Sequence, residues 1–148
     1  MDRPLFVYGT LRDPDLLSAV LGRPLRPGET LRAVAPGFRA THYPNRIYPA
    51  LIRAPGGLAE GFVLLGLSHF EWDLLDGWVG GEYRCGIVPV MIEEELHEAH
   101  AYLPTIAVSG GDPWSLERWQ ALHKPEVLPA ETAQAGEIRR RLIAILPN

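Results

Sequence analysis

The sequence has little cysteine, which limits the covalent frameworks that it can build. Cys85 is the only cysteine among 148 residues, so no disulfide can form within the chain. A chain without disulfides is most simply assigned to a reducing, cytoplasmic setting. We therefore expect a cytoplasmic protein whose fold depends on its apolar core.

The sequence also lacks an apolar run of about twenty residues, the length that crosses a membrane. An apparent strand begins within a few residues of Met1 and leaves no room for a signal peptide. The net charge is -4, and the densest basic run, residues 139–141, lies near the end of an expected helix. These features predict a soluble protein that binds neither membranes nor nucleic acid.

What the sequence does contain is typical of one globular domain. Apolar residues make up 47% and charged residues 22%. A chain of 148 residues can bury a hydrophobic core, but a second domain would be cramped. The 15 glycines and 14 prolines are spread along the chain, as in a fold with many short strands and turns. We expect residues 1–148 to form a single domain.

The N-terminal segment carries the clearest local signals. Residues 5–8 form a short apolar and aromatic run that predicts a buried strand. Asp13 is a suitable helix N-cap, Pro14 occupies the first helical position, and Gly22 ends an apolar helical pattern. The predicted order is therefore strand, loop, helix.

The rest of the chain predicts strands and helices in irregular order. Residues 30–52 indicate a hairpin followed by an irregular excursion, with turn signals at Pro36-Gly37, Pro44-Asn45 and Tyr48-Pro49. Ser68 with Glu71 forms a capping box. Further predictions are a turn at Pro55-Gly56-Gly57, strands at 59–65, 83–92 and 99–103, a helix at 68–75 before a glycine-rich loop, a helix capped by Asp112-Pro113, and a C-terminal helix of about residues 130–146 packed on the domain. Without regular alternation, the expected fold class is α+β, a small mixed or antiparallel β-barrel with flanking helices.

The segment Val7-Tyr8-Gly9-Thr10-Leu11, directly after the first strand, is the strongest candidate for a ligand site. A glycine there lets the backbone approach a ligand closely. Successive N–H groups at a strand-to-helix turn can also bind an anion such as a carboxylate. The alternative is a tight turn whose glycine only satisfies local geometry.

Short motifs recur in a fixed order along the chain. They are Tyr8-Gly9-Thr10-Leu11, Tyr48-Pro49-Ala50-Leu51, Glu60-Gly61, Leu75-Asp76 through Gly80, Glu82 and Tyr83, Ala101-Tyr102, and a helix with Trp114 and Trp119. In this order they resemble the signatures of the γ-glutamylcyclotransferase-like family, including its plant avirulence-induced group, which opens with Y-G-T/S-L. The resemblance covers roughly residues 4–128 and implies the fold of that family.

The resemblance implies an enzyme that converts a small γ-glutamyl amine or peptide into 5-oxoproline and a free amine without a cofactor. In the family, loop amides bind the substrate, its α-amine attacks its own γ-carbonyl, and one buried glutamate transfers the proton. That glutamate needs a pKa above the usual value of about 4.3. The expected substrate-binding residues are Tyr8, Gly9, Thr10, Leu11, Tyr48 and Tyr83, although tyrosines can equally belong to the core.

One position departs from the family pattern. An alignment without gaps places Val79 where the family has its catalytic glutamate. Valine cannot transfer a proton, and the nearest carboxylates, Asp76 and Glu82, are each three residues away. Because a glycine-rich loop could bring Glu82 inward, Glu82 is the provisional catalytic residue.

Other interpretations stay open. Glu82 also occurs at this position in active relatives without being catalytic, so the chain can be an inactive member that binds a small carboxylate ligand or a protein partner. A different acyl transfer in a cavity widened by Val79 is a third interpretation. His97 and His100 flank Glu98, but their spacing does not match a metal-binding motif, so we expect no metal site. The sequence does not define an oligomeric state.

Overall fold

The computed structural model describes residues 4–146 and builds them into a barrel with packed helices. The strands are β1 (Leu5–Val7), β2 (Thr30–His42), β3 (Pro49–Leu64), β4 (Tyr83–Ile92) and β5 (Glu95–Pro104). The helices are α1 (Pro14–Leu21), α2 (His69–Val79), α3 (Leu116–Leu122) and α4 (Lys124–Ile145). This architecture confirms the expected α+β class and the mixed barrel with flanking helices.

The barrel closes in the strand order β1-β3-β2-β4-β5. The first strand lies between β3 and β5: it pairs antiparallel with β3, where Val7 is opposite Phe62, and parallel with β5, where Leu5 is opposite His100. All other pairs are antiparallel. Because closure leaves no free sheet edge, even the short first strand has neighbours on both sides.

Two hydrophobic clusters meet at β1. Phe6 belongs to a cluster with members from all five strands, which fills the barrel. Leu5 and Val7 belong to a second cluster, formed with buried residues of α1, α2, α3 and α4 on the outside of the barrel. Adjacent side chains of a strand point to opposite faces, so this one strand joins the barrel interior to the helical layer.

The start of the chain folds as the local signals predict. The Asp13 carboxylate accepts a hydrogen bond from the Leu16 N–H at 3.0 Å, which caps α1 at its N-terminus. The helix ends at Gly22, whose φ of 75° lies in the left-handed region that glycine favours. In α2, Ser68 and Glu71 form the predicted capping box.

Two predicted turns in the β2–β3 hairpin are wrong. Pro36-Gly37 and Pro55-Gly56-Gly57 lie inside long continuous strands. The ladder register shifts between Pro36 and Phe38, whose partners are Leu58 and Arg53, so the extra residues of β3 form an irregularity in the ladder. Gly37 and Gly56 both have φ of 80°, which allows the strands to bend there without ending.

Three predicted helix boundaries also need correction. The first of these helices, α2, continues beyond Leu75 to Val79. A 3₁₀ turn at residues 80–82 then connects it to β4, in place of the predicted glycine-rich loop. Ser115, not Asp112, caps α3, since its hydroxyl accepts a hydrogen bond from the Arg118 N–H. The C-terminal helix begins at Lys124, not near residue 130, because Pro129 lies inside the helix and does not mark its start.

The long helix α4 packs against both α1 and α2. Ile138 Cγ2 lies 3.1 Å from the position where Gly77 would carry a Cβ atom. Arg139 donates hydrogen bonds to the carbonyls of Ala19 and Val20 in the last turn of α1, both at 3.3 Å. Among residues 4–146, no helix combines the length and apolar character needed to cross a membrane.

We predict that Gly61→Ala destabilises the protein. A Cβ atom at Gly61 would lie 2.0 Å from the Val7 carbonyl oxygen, and this backbone atom can move only if the β1–β3 pairing shifts. Overpacking of this kind costs about 1–3 kcal/mol or more. Chemical denaturation provides the measurement.

Gly136→Ala is the matched control. It lies in α4, where the nearest atom to an added Cβ is at 3.7 Å, an ordinary contact. Replacing a helical glycine by alanine should raise the free energy of unfolding by up to about 1 kcal/mol. Equal stability of Gly61→Ala and wild type would contradict the close approach of β1 and β3.

Candidate active site

The loop after β1 is shaped by a close contact between Gly9 and Pro49. An added Cβ at Gly9 would lie 2.7 Å from Pro49 Cγ. Gly9 has φ of -122°, outside the left-handed region, and the contact with Pro49 is a reason for glycine at this position. Thr10 begins a 3₁₀ turn, and the opening N–H groups of such a turn have no partner within it. The loop can therefore present the amides of Thr10 and Leu11 to a ligand.

Three tyrosines pack together beside this loop. The rings of Tyr43, Tyr48 and Tyr83 lie with centroids 5.5–6.0 Å apart. The Tyr83 hydroxyl donates to the Pro49 carbonyl at 2.5 Å, and burial raises the pKa of this hydroxyl. The cluster fixes the wall of the site that includes Pro49.

Glu82 lies at the edge of the same wall, where it is already paired. Its Oε2 lies 2.9 Å from Arg46 Nη2 and 3.1 Å from Arg46 Nε, and the Tyr48 hydroxyl donates to its Oε1. Both members of the ion pair are partly exposed, with 33% of the Glu82 side chain and 47% of the Arg46 side chain accessible. The Glu82 carboxylate thus has a cation and a hydroxyl as direct partners.

A second carboxylate comes from the C-terminal helix. Glu131 of α4 is half-buried beside Trp78, and the loss of hydration raises its pKa above the ordinary value of 4.5. An interaction with the Trp78 indole N–H lowers the pKa by a smaller amount. The indole nitrogen is buried and makes no hydrogen bond of standard geometry within residues 4–146. This carboxylate therefore lies in a much less polar setting than Glu82.

These elements enclose a cavity of about 410 Å³ between the barrel and the helices. That volume lies within the usual range for small-molecule sites. The residues that line it share no single element; they are Phe6 to Leu11, Leu16, Ile47 to Pro49, Gly77 to Tyr83, Tyr102, Trp119, Val127, Glu131 and Gln134. Polar groups therefore occur at separate points on a largely apolar wall.

The structure brings all the sequence-derived site residues to this one cavity. They are Tyr8, Gly9, Thr10, Leu11, Tyr48, Glu82 and Tyr83. Val79 lines the wall, while Asp76 does not line it and accepts a hydrogen bond from the Tyr102 hydroxyl at 2.6 Å. The roles of these residues in binding and catalysis stay predictions.

Sequence reasoning missed the helical side of the cavity. Trp78 was assigned no role, and Val127, Glu131 and Gln134 belong to a helix whose start was placed too late. Val127, Glu131 and Gln134 are three to four residues apart, which is the spacing of residues on one face of a helix. This spacing indicates a shared face once the helix is known to begin at Lys124. The sequence could not show that this face covers the loop after β1.

The barrel and this cavity define the class of protein: a small α+β barrel with a ligand-sized pocket at the end of its first strand. The chain belongs to the family described as gamma-glutamyl cyclotransferase, AIG2-like, whose model matches residues 5–121. It is 31% identical over 129 residues to AIG2-like protein A of Arabidopsis thaliana, covering 84% of this chain and 76% of that protein. AIG2-like protein B of the same organism is 30% identical, with 86% and 75% covered.

Solved structures agree with this assignment. A solution structure of an Arabidopsis thaliana protein matches with a TM-score of 0.65 and 28% identity, covering 86% of this chain and 87% of that one. A gamma-glutamyl cyclotransferase matches with a TM-score of 0.58 and 19% identity, covering 99% and 89%. The second likeness shows a shared fold, and it extends over almost the whole of this chain.

We predict that Gly9→Ala distorts the cavity wall. The added methyl group must displace the Pro49 ring, at a cost of about 1–3 kcal/mol. Gly81→Ala is the matched control, because Gly81 lines the same cavity and has no atom within 4 Å of an added Cβ. Amide NMR spectra should show shifts at Tyr48 and Ala50 for Gly9→Ala, and only local shifts for Gly81→Ala. Similar spectra for the two variants would contradict the contact.

Proposed function

We propose that this protein cyclises a small γ-glutamyl amine or peptide to 5-oxoproline and releases the free amine. One observation carries the proposal: residues Gly9 to Leu11 and two glutamates line a single cavity of about 410 Å³. Membership of the gamma-glutamyl cyclotransferase, AIG2-like family supports the reaction class.

The cavity offers a suitable environment for the glutamyl part of such a substrate. The amides of Thr10 and Leu11 can donate hydrogen bonds to a substrate carboxylate at the end of β1. Trp78, Trp119 and Val127 form an apolar wall that can reduce contact of the reacting atoms with water. A low-dielectric wall strengthens the electrostatic contacts of the polar groups that face it.

The reaction needs positioning and one proton-transfer group. The α-amine of the substrate must lose a proton before it attacks the γ-carbonyl carbon, and the leaving amine must gain one. A carboxylate can do both if its pKa allows it to exist in both forms near neutral pH. Within residues 4–146, the glutamates that line the cavity are Glu82 and Glu131.

A binding protein without catalysis is the second candidate, and the Val79 side chain in the cavity favours it. The Glu82 carboxylate also already has Arg46 and Tyr48 as partners, so it is occupied by contacts within the protein. In this alternative the loop amides bind a small carboxylate-bearing ligand that is not converted. Measured turnover separates the two functions.

We expect wild-type protein to release 5-oxoproline and free amine in equal amounts from members of a panel of γ-glutamyl amines and dipeptides. Quantitative chromatography of both products is the measurement. The matched α-glutamyl dipeptides should release no amine, because their amide bond is not at the γ-carbonyl. No turnover of any γ-glutamyl compound, together with calorimetric binding of one of them, would establish the binding protein instead.

A further inference from the structure

We propose that Glu131, on the C-terminal helix, is the general acid and base of the cyclisation. The inference rests on the proposed function and assigns its proton transfer to a residue outside the segment that the family model matches, which ends at residue 121. Glu131 lines the cavity together with Val79 and Trp78 of α2. The helix α4 thus contributes the Glu131 carboxylate to the cavity wall to which α2 contributes Val79.

The position of Glu131 is fixed by packing between helices. Ala135, one turn later, is fully buried, and Ile138, two turns later, contacts the Gly77 position of α2. Residues four and seven apart share one face of a helix, so Glu131 lies on the face of α4 that packs against α2. A carboxylate on a rigid, packed helix can be held in a reproducible orientation toward a substrate.

The polar surroundings of Glu131 differ from those of the other buried carboxylates. Asp13, Glu29 and Glu71 are all buried, and each is bound by a lysine or an arginine. Within residues 4–146, no lysine, arginine or histidine forms an ion pair with Glu131; the polar neighbour identified beside it is the Trp78 indole. A half-buried carboxylate without a counter-ion costs desolvation energy, so its persistence in a cavity wall favours a functional role.

The same comparison separates Glu131 from Glu82. Arg46 forms two contacts of about 3 Å with the Glu82 carboxylate, so this carboxylate already has a cation as its partner. Glu131 has no such cation among residues 4–146, and burial raises its pKa. A group that must accept and return a proton near neutral pH works best with a pKa moved toward that pH. Glu82 is better placed to fix Arg46 and Tyr48 at the edge of the cavity.

The reaction balances with Glu131 as the only proton carrier. Its carboxylate removes a proton from the α-ammonium, and the freed nitrogen lone pair attacks the γ-carbonyl carbon to form the C–N bond of the ring. The C–N bond to the leaving amine then breaks as Glu131 returns the proton to the leaving nitrogen. The ring nitrogen keeps one of the three protons of the α-ammonium and must lose a second one. Glu131 also transfers this second proton to the leaving nitrogen. The amine therefore departs as an ammonium ion, and Glu131 is again ionised.

The test compares Glu131→Gln, Glu82→Gln and Glu126→Gln in the 5-oxoproline assay. Glu126→Gln is the control, because Glu126 is an exposed residue of α4 that does not line the cavity. We expect Glu131→Gln to lower kcat by about 10²–10⁴-fold, the usual contribution of general acid–base catalysis, with KM changed much less. Glu126→Gln should retain wild-type turnover.

The pH profile provides a readout specific to proton transfer. Glu131 must be ionised before the reaction, so kcat/KM should fall as the pH drops through its pKa. Because burial raises this pKa above 4.5, the fall should begin at a higher pH than for an exposed glutamate. Within residues 4–146, the other ionisable side chains that line the cavity are Glu82, paired with Arg46, and the tyrosines Tyr8, Tyr48, Tyr83 and Tyr102. Burial raises the pKa of Tyr8, Tyr83 and Tyr102. Glu131→Asp should retain part of the activity and an acid limb, whereas Glu131→Gln should lose the limb.

Thermal melting separates a catalytic role from a structural one. The raised pKa means that the folded state binds the Glu131 proton more tightly than the unfolded state, so ionised Glu131 reduces stability above this pKa. Glu131→Gln should therefore melt at the same temperature as wild type, or higher, at neutral pH. A lower melting temperature, with activity lost only in proportion to unfolding, would overturn the assignment.

Two further outcomes have different meanings. Wild-type turnover that persists in Glu131→Gln and disappears in Glu82→Gln would transfer the role to Glu82 and leave the proposed function intact. Absence of wild-type turnover on every member of the panel would remove the proposed function, and the role of Glu131 with it.

Discussion

The closed barrel depends on a strand of only three residues. β1 pairs with β3 on one side and with β5 on the other, and Gly61 lets the β3 backbone approach the Val7 carbonyl. The strand ends at Val7, and the loop from Tyr8 to Leu11 that follows it lines the cavity. The same backbone pairing that closes the sheet therefore orients the loop that lines the candidate site.

Among residues 4–146, the buried and half-buried carboxylates differ in whether a cation is bound to them. Arg23 joins Glu29 and Glu71 across three segments of the chain, and hydrogen bonds from its guanidinium hold the pKa of Glu29 below its ordinary value. For Glu71, burial raises the pKa, but the contacts with Arg23 and Ser68 outweigh it and lower the pKa overall. Glu131 shows the opposite shift, because desolvation there is not offset by a cation. The direction of each shift thus follows from the presence or absence of a cationic partner among the described residues.

Local signals were sufficient wherever neighbouring residues decide the structure. Asp13, Pro14 and Gly22 defined α1 at both ends, and Ser68 with Glu71 defined the start of α2, because each cap is satisfied within a few residues. The same signals failed at two places. At Pro55-Gly56-Gly57 the strand continues through an irregularity of its ladder with β2, and at Pro129 the helix α4 continues through the proline. The candidate loop and its tyrosines were identified from ordered motifs. Glu131 was not, because its place in the cavity wall depends on contacts between helices that are far apart in sequence.

The sequence by itself determined the N-caps of α1 and α2, the family and the loop after β1, since each of these is a property of residue type and short-range spacing. It also determined that valine occupies residue 79. Only the tertiary structure decided which side chains surround the cavity. Barrel closure brings Pro49 and Tyr83 against the loop, and the packing of α4 on α2 brings Glu131 to the wall beside Val79. The physical reason is that desolvation and ion pairing depend on neighbours in space, and here those neighbours lie on different strands and helices.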